Sequence, residues 1–160
     1  MNRSTPFGFS NGRALRLLLP SVLLALAFPA WASLGDNVAS VQSDRAHMKG
    51  SLRSVASQNY VTHEIQVPTG QVVREFVSPD GTVFGVAWDG PFQPDLQQLL
   101  GSYFEPVKQA YAAQQRTGHG PVSIETSGFV FRSSGHARNF HGSAYVPRMV
   151  PEGVDVSEIQ

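Results

Sequence analysis

Four basic side chains near the end of this sequence are the ones best suited to chemistry. They are two arginines and two histidines: Arg132, His136, Arg138 and His141. Such side chains donate charge-assisted hydrogen bonds to phosphate and carboxylate oxygens, and the segment 116–148 contains a single acid, Glu125. The pattern predicts a basic surface for an anionic group. The alternative is a solvated strand face on which charges happen to cluster.

A second candidate is a histidine and a glutamate on neighbouring strands. Residues 60–67 and 71–77 alternate between apolar and polar side chains and flank Pro68-Thr69-Gly70, which predicts a hairpin. If residue 67 lies opposite residue 71, then His63 lies opposite Glu75 on the apolar face. A buried pair of this kind can mark a functional site, because burial and a partner shift both pKa values. The alternatives are a structural hydrogen-bonded pair and a one-residue slip that separates the two.

Metal and nucleophilic sites find little support in the sequence. The chain has no cysteine, no HExxH or HxH motif and no GxSxG motif. His136 and His141 are five residues apart, so on one regular strand they would point to opposite faces. Ser133 and Ser134 precede His136 within a predicted turn, which does not make a catalytic triad. The sequence therefore predicts no metal, no cofactor and no catalytic residue.

The elements that position these residues are mostly strands. The segment 82–88 continues the alternation after Ser78-Pro79-Asp80-Gly81, a strong turn signal, so a three-stranded antiparallel meander is predicted. Pairing of Val77 with Thr82 would place Glu75 opposite Phe84. Segments 122–132 and 137–146 predict a C-terminal hairpin joined by residues 133–136, which extends the same sheet, with Gly128 at a bulge.

An N-terminal helix and a broken central helix are expected to cover this sheet on one face. The N-terminal helix is predicted to end near Lys49 and follows apolar residues at helical spacing: Leu34, Val38, Val41, Met48, Leu52 and Val55. A central apolar stripe predicts helices over 94–104 and 106–116, broken at Pro106, because proline interrupts a helix interior.

The first 32 residues have the order of a secretory signal peptide. Three arginines precede an apolar run over 17–30, and Ala30-Trp31-Ala32 provides a cleavage site. The alternative, an uncleaved membrane anchor, is weakened by Pro20 and Ser21 within the run. Cleavage would leave a single cysteine-free α+β domain, 33–160, with an irregular tail over 147–160. Its nine basic and twelve acidic residues argue against a general nucleic-acid binder.

Segments along most of this chain resemble a family of small exported proteins from Gram-negative bacteria, known as domain of unknown function 2844. The shared segments include Gly50-Ser51-Leu52-Arg53, His63-Glu64-Ile65-Gln66, Ser78-Pro79-Asp80-Gly81, Val86-Ala87-Trp88, Leu99-Leu100-Gly101-Ser102-Tyr103-Phe104 and Gly118-His119-Gly120. The resemblance implies export and one compact domain. It brings no activity, cofactor or catalytic residue.

The sequence thus predicts an α+β fold: an antiparallel sheet made of a three-stranded meander plus a C-terminal hairpin, with an N-terminal helix and a proline-broken central helix on one face. The predicted role is that of a periplasmic or secreted, non-catalytic binding or accessory module for an anionic envelope ligand or an acidic protein. One alternative is a small hydrolase of envelope material that uses the region of His63 and Glu75 or the acids near Asp89. Another is a structural component that pairs through a sheet edge.

Overall fold

One antiparallel sheet of seven strands organises the part of the chain that the structure describes. The structure is a computed structural model, which describes Met1 and residues 34–114 and 120–159. Apart from Met1, the predicted signal peptide lies outside the described residues, and so do Arg116 and His119. The strands are β1 (Ser51–Ala56), β2 (Val61–Gln66), β3 (Val72–Val77), β4 (Val83–Gly90), β5 (Val122–Glu125), β6 (Val130–His136) and β7 (Asn139–Tyr145). Their order across the sheet is β1-β2-β3-β4-β7-β6-β5.

The predicted architecture of a three-stranded meander plus a hairpin is wrong, because two strands were missed. Leu52 and Val55 belong to β1. Because they are three residues apart, they fit the helical spacing of the preceding segment and were grouped with its apolar residues. The predicted strand over 122–132 folds back on itself between β5 and β6. Thr126 stabilises this turn, since its backbone N–H and its hydroxyl both donate to the Phe129 carbonyl, at 3.0 and 2.9 Å. Gly128 therefore lies in a turn and not at a bulge.

Helices cover one face of the sheet. They are α1 (Ala39–Met48), α2 (Leu96–Leu100) and α3 (Phe104–Gln114), and a 3₁₀ turn, Gly101–Tyr103, joins the last two. Their buried apolar side chains, such as Val41, Leu99 and Val107, meet Val73, Val86 and other strand residues in the main core. Cross-strand pairs place every second residue of each strand on this face.

The central helical region breaks at a glycine and not at Pro106. Gly101 has φ +50°, which is a left-handed conformation that favours glycine and ends α2. Pro106 lies in the first turn of α3, where a missing N–H leaves no helical hydrogen bond unmade. Asp95 caps α2 by accepting a hydrogen bond from the Gln98 N–H at 3.1 Å.

A bulge between β3 and β4 moves one aromatic ring to the other face of the sheet. Val77 lies opposite Val83, the register shifts between Phe76 and Val77, and Glu75 lies opposite Val86. The predicted pairing of Glu75 with Phe84 is therefore wrong. A bulge inserts one extra residue and so reverses the alternation, and Phe84 packs with Tyr60 and Phe76 instead of with the main core.

The C-terminal segment 147–159 covers part of that second face. Ile159 is 3% exposed and forms a second core cluster with Phe76, Phe84, Ala87, Val130 and Tyr145, against which Val150 and Val154 also pack. Polar contacts also hold the segment: the Asn59 amide donates to the Glu152 carbonyl, and the Tyr60 hydroxyl donates to the Glu158 carboxylate. The rest of the second face is left to solvent.

Gly142 gives a direct test of this packing. A Cβ atom there would lie 2.5 Å from the Arg132 carbonyl and would overlap the Trp88 ring. We expect Gly142→Ala to lower the free energy of unfolding by about 1 to 3 kcal/mol, because a packed interior resists an added methyl group. Chemical denaturation measures the change.

The matched control is Gly128→Ala, since a Cβ at Gly128 has no atom within 4 Å. Its stability should stay close to that of the parent. Equal destabilisation by both substitutions would show that Trp88 does not pack against β7 as described.

Candidate functional site

The uncovered part of the second sheet face forms a groove of about 690 Å³. We call it the open-face groove. Ala87 of β4 lies opposite Ser143 of β7, and these two small residues lie between Arg74 of β3 and Arg132 of β6 in one row across the sheet. Three inter-strand spacings separate the two arginines, which is about 14 Å. The groove therefore has an arginine on either side, and the small residue Ser143 lines it between them, whereas Ala87 is buried.

A second row of polar residues crosses the groove next to the first. Asp89 of β4 lies opposite His141 of β7, which lies opposite Ser134 of β6. Ser134 Oγ and His141 Nε2 are hydrogen-bonded at 2.6 Å. All three side chains share the open face, because directly opposed residues of antiparallel strands point to the same side.

A glutamate on the outer side of each arginine balances its charge. Arg74 Nε lies 3.2 Å from Glu64 Oε2, and both side chains are about one-third exposed. An Arg132 terminal nitrogen lies 3.4 Å from Glu125 Oε2 in a more exposed pair. Exposed pairs of this kind are weak, and a guanidinium carries five N–H donors. Among the described residues, the guanidinium of Arg132 pairs only with Glu125, which leaves donors that a ligand in the groove can use.

The four predicted basic residues separate into two pairs. Arg132 and His141 line the open-face groove. His136 ends β6 and Arg138 lies in the β6–β7 turn with φ +69°. The predicted turn over 133–136 is thus part of a strand, and the true turn is Ala137-Arg138. His136 lines a different depression, together with Tyr111. The structure therefore does not bring all four residues to one groove.

Sequence reasoning missed Arg74 as a groove residue and missed the pairing of Ser134 with His141. Arg74 lies 58 positions before Arg132 in the sequence. The two arginines lie in one row across the sheet only because β4 pairs with β7. The pairing of Ser134 with His141 could have been predicted from the sequence, because a two-residue hairpin turn at 137–138 places residue 134 opposite residue 141. Serine and glycine at 133–135 favoured a turn there instead.

His63 lies directly opposite Glu75, as the hairpin pattern predicted, but the partner of Glu75 is Asp44. His63 Nδ1 is hydrogen-bonded to Ser54 Oγ at 2.8 Å. Glu75 and Asp44 are each 1% exposed and share a hydrogen bond, while the Gln98 amide donates to Asp44 Oδ1. Asp44 lies on α1, and its contribution could not be read from the strand pattern.

Burial sets the protonation of this carboxyl pair. Desolvation raises the pKa of Asp44 to about 6 and raises the pKa of Glu75 well above its ordinary value, and the charge of Asp44 raises it further. Desolvation lowers the pKa of His63, so its imidazole favours the neutral form. Two adjacent buried carboxyls cannot both ionise cheaply, so they share a proton.

Within the described residues, the structure brings together no group of three or more histidine, aspartate or glutamate side chains that could hold a metal ion. None of the described helices has the length and apolar character that a membrane crossing requires.

The edges of the sheet are β1 and β5. Pairing of a partner at either edge stays a prediction.

The family resemblance seen in the sequence is confirmed by a family model that matches residues 30–159. The chain belongs to the family described as Protein of unknown function (DUF2844). No curated protein and no solved structure matches it. The match covers all of the residues that build the groove and the carboxyl pair, and it assigns no role to them.

The carboxyl pair predicts an unusual pH dependence of stability. Because both pKa values are raised on folding, the folded chain binds more protons than the unfolded chain above about pH 4, so this contribution to stability falls as pH rises. We expect Glu75→Gln to raise the free energy of unfolding by about 1 to 3 kcal/mol near neutral pH. The gain should vanish near pH 4, where the parent pair is protonated.

Denaturant unfolding at several pH values measures this effect. The matched control is Glu152→Gln, the same chemical change at an exposed position of the C-terminal segment. A gain that is equal at all pH values, or equal in the control, would contradict the shared-proton account.

Proposed function

We propose that the chain is exported, to the periplasm or beyond the cell, and acts there as a binding module for an anionic ligand. Export is supported by the order of positive, apolar and small residues over 1–32. Binding is supported by one observation above all: two arginines, Arg74 and Arg132, line the same groove, and Ser143 lines it between them.

The chemistry of the groove favours a ligand with carboxylate or phosphate groups and neighbouring hydroxyls. Arg74 and Arg132 offer charge-assisted donors, while Ser123, Ser134 and Ser143 line the same groove and offer hydroxyls. Asp89 adds an acceptor that pairs with a sugar hydroxyl better than with a second anion. An acidic polysaccharide of the cell envelope has this combination of groups.

The test is a titration of the mature chain with an oligogalacturonate, followed by the NMR signals of the arginine Nε–H groups and of the strand amides. We expect shifts confined to the groove strands. The double variant Arg74→Ala/Arg132→Ala should lower affinity by about tenfold or more, because each arginine contributes hydrogen bonds to a charged group. Higher salt should weaken binding by the parent.

Two single variants serve as controls. Arg45→Ala removes the same charge from α1, an exposed position on the other side of the sheet, and Arg138→Ala removes it from the β6–β7 turn. Both should bind like the parent. If Arg138→Ala lowers the affinity as much as the double variant does, the binding site lies at the tip of the hairpin and not in the groove. If all variants lower the affinity equally, binding depends only on the net charge of the chain.

A hydrolase is the second candidate, and the hydrogen bond between Ser134 Oγ and His141 Nε2 at 2.6 Å favours it. In that reaction Ser134 Oγ would attack a carbonyl carbon while His141 takes the hydroxyl proton and returns it to the leaving group, which gives an ester on Ser134. Water, deprotonated by His141, would then cleave that ester and release the acid, and the proton would return to Ser134. Asp89, on the strand next to His141, would orient the imidazole. The groove beside the three residues would hold the substrate.

Labelling with a fluorophosphonate probe tests this candidate, since such probes form a covalent bond only with activated serines. We expect modification of Ser134 by mass spectrometry and its loss in His141→Ala. The matched control is Ser54→Ala, because Ser54 also contacts a histidine but through Nδ1. If the probe does not label the parent, the hydrolase proposal is wrong, whereas the proposal of a binding module is not affected.

A further inference from the structure

Helix α1 is attached to the sheet through an unusually polar face. Its buried residues are Ser40, Val41 and Asp44, so only one of the three is apolar. A surface helix normally buries an apolar stripe. The attachment of α1 must therefore depend strongly on what Asp44 meets.

Asp44 joins three elements at one point. It contacts Glu75 of β3 and accepts a hydrogen bond from the Gln98 amide of α2. Gln98 donates to Oδ1 of Asp44, and a hydrogen bond between the two carboxyls then requires a proton on one of them, because two carboxylates are both acceptors. The second carboxyl oxygen of Glu75, Oε1, is buried without a partner. No lysine or arginine pairs with either acid in the described part of the chain.

We propose that the proton shared by Asp44 and Glu75 is a latch that holds α1 on the sheet, and that its loss as pH rises loosens the helix. With the proton present, the two carboxyls attract through a hydrogen bond. With it absent, two like charges face each other in a desolvated space, which favours separation of α1 from β3. The helix is the side that can move, since β3 is paired on both sides within the sheet.

The other groups around the pair modify the latch without replacing it. His47 on α1 lowers the pKa of Asp44, and Asp95 at the start of α2 raises it. His63 faces Glu75 from β2, but its desolvated ring favours the neutral form and bonds to Ser54. Val86, which faces Glu75 from β4, is apolar.

Both ends of α1 are fixed, so release loosens the helix in place. At its start the Val38 N–H donates to the Gly81 carbonyl at 2.7 Å. At its end Lys49 adopts φ +52°, and Gly50 follows so close to β2 that a Cβ would lie 2.6 Å from Ile65. Release would therefore act on the turn of α1 that carries Asp44, between these two anchors.

Hydrogen exchange of the mature chain tests the latch. Protection factors corrected for intrinsic rates should fall about tenfold or more for α1 as pH rises from about 5 through the raised pKa of Glu75, as expected for a pKa difference of at least one unit. Those of β3 and β4 should stay constant. In Glu75→Gln the α1 protection should not change with pH, whereas Glu152→Gln should behave like the parent.

A second measurement needs no substitution. The side-chain carboxyl carbons of Asp44 and Glu75 in the parent should titrate in two coupled steps above the range of ordinary carboxyls, and the second step should coincide with the loss of α1 protection. The latch is overturned if α1 and the sheet lose protection in parallel, or if α1 protection does not depend on pH. It is also overturned if the two carboxyls titrate in the ordinary range.

Discussion

The fold depends on the constraint that a seven-stranded sheet has two faces and the described helices cover only one. Antiparallel strands tolerate this because alternate side chains can differ in character. Arg74 points to the open face, whereas Val73 and Glu75 on either side of it point to the core. The C-terminal segment, through Ile159, covers the aromatic end of the open face. What stays uncovered is polar, and this gives the open-face groove its chemistry.

Much of the local structure could be predicted from the sequence, and much of the architecture could not. Strands β2 and β3 alternate in the sequence, and strong turns bound β2, β3 and β4, so their order and the pairing of His63 with Glu75 followed from pattern alone. Strand β1 lies at an edge with most of its side chains exposed. An edge strand needs no apolar alternation, and its signal was too weak to separate from that of the preceding helix.

The candidate site likewise has a part that could be predicted from the sequence and a part that could not. Arg132 and His141 could be recognised as basic residues on one hairpin, but their partners depend on which strand pairs with which. Pairing of β7 with β4 brings Asp89 beside His141 and aligns Arg74 with Arg132. Such long-range pairing leaves no trace in local spacing. The bulge that moves Phe84 to the other face is equally invisible, because it depends on how the turn after Val77 closes.

The groove and the carboxyl pair lie on opposite faces of the same strand. Arg74 and Glu75 are consecutive residues of β3, so one contributes to the groove and the other to the core. Keeping a carboxyl in the core costs free energy that an apolar side chain of similar size would not. A glutamate at this position is therefore not explained by stability. A requirement that α1 respond to protonation does explain it, and substitution of Glu75 leaves every side chain of the groove in place.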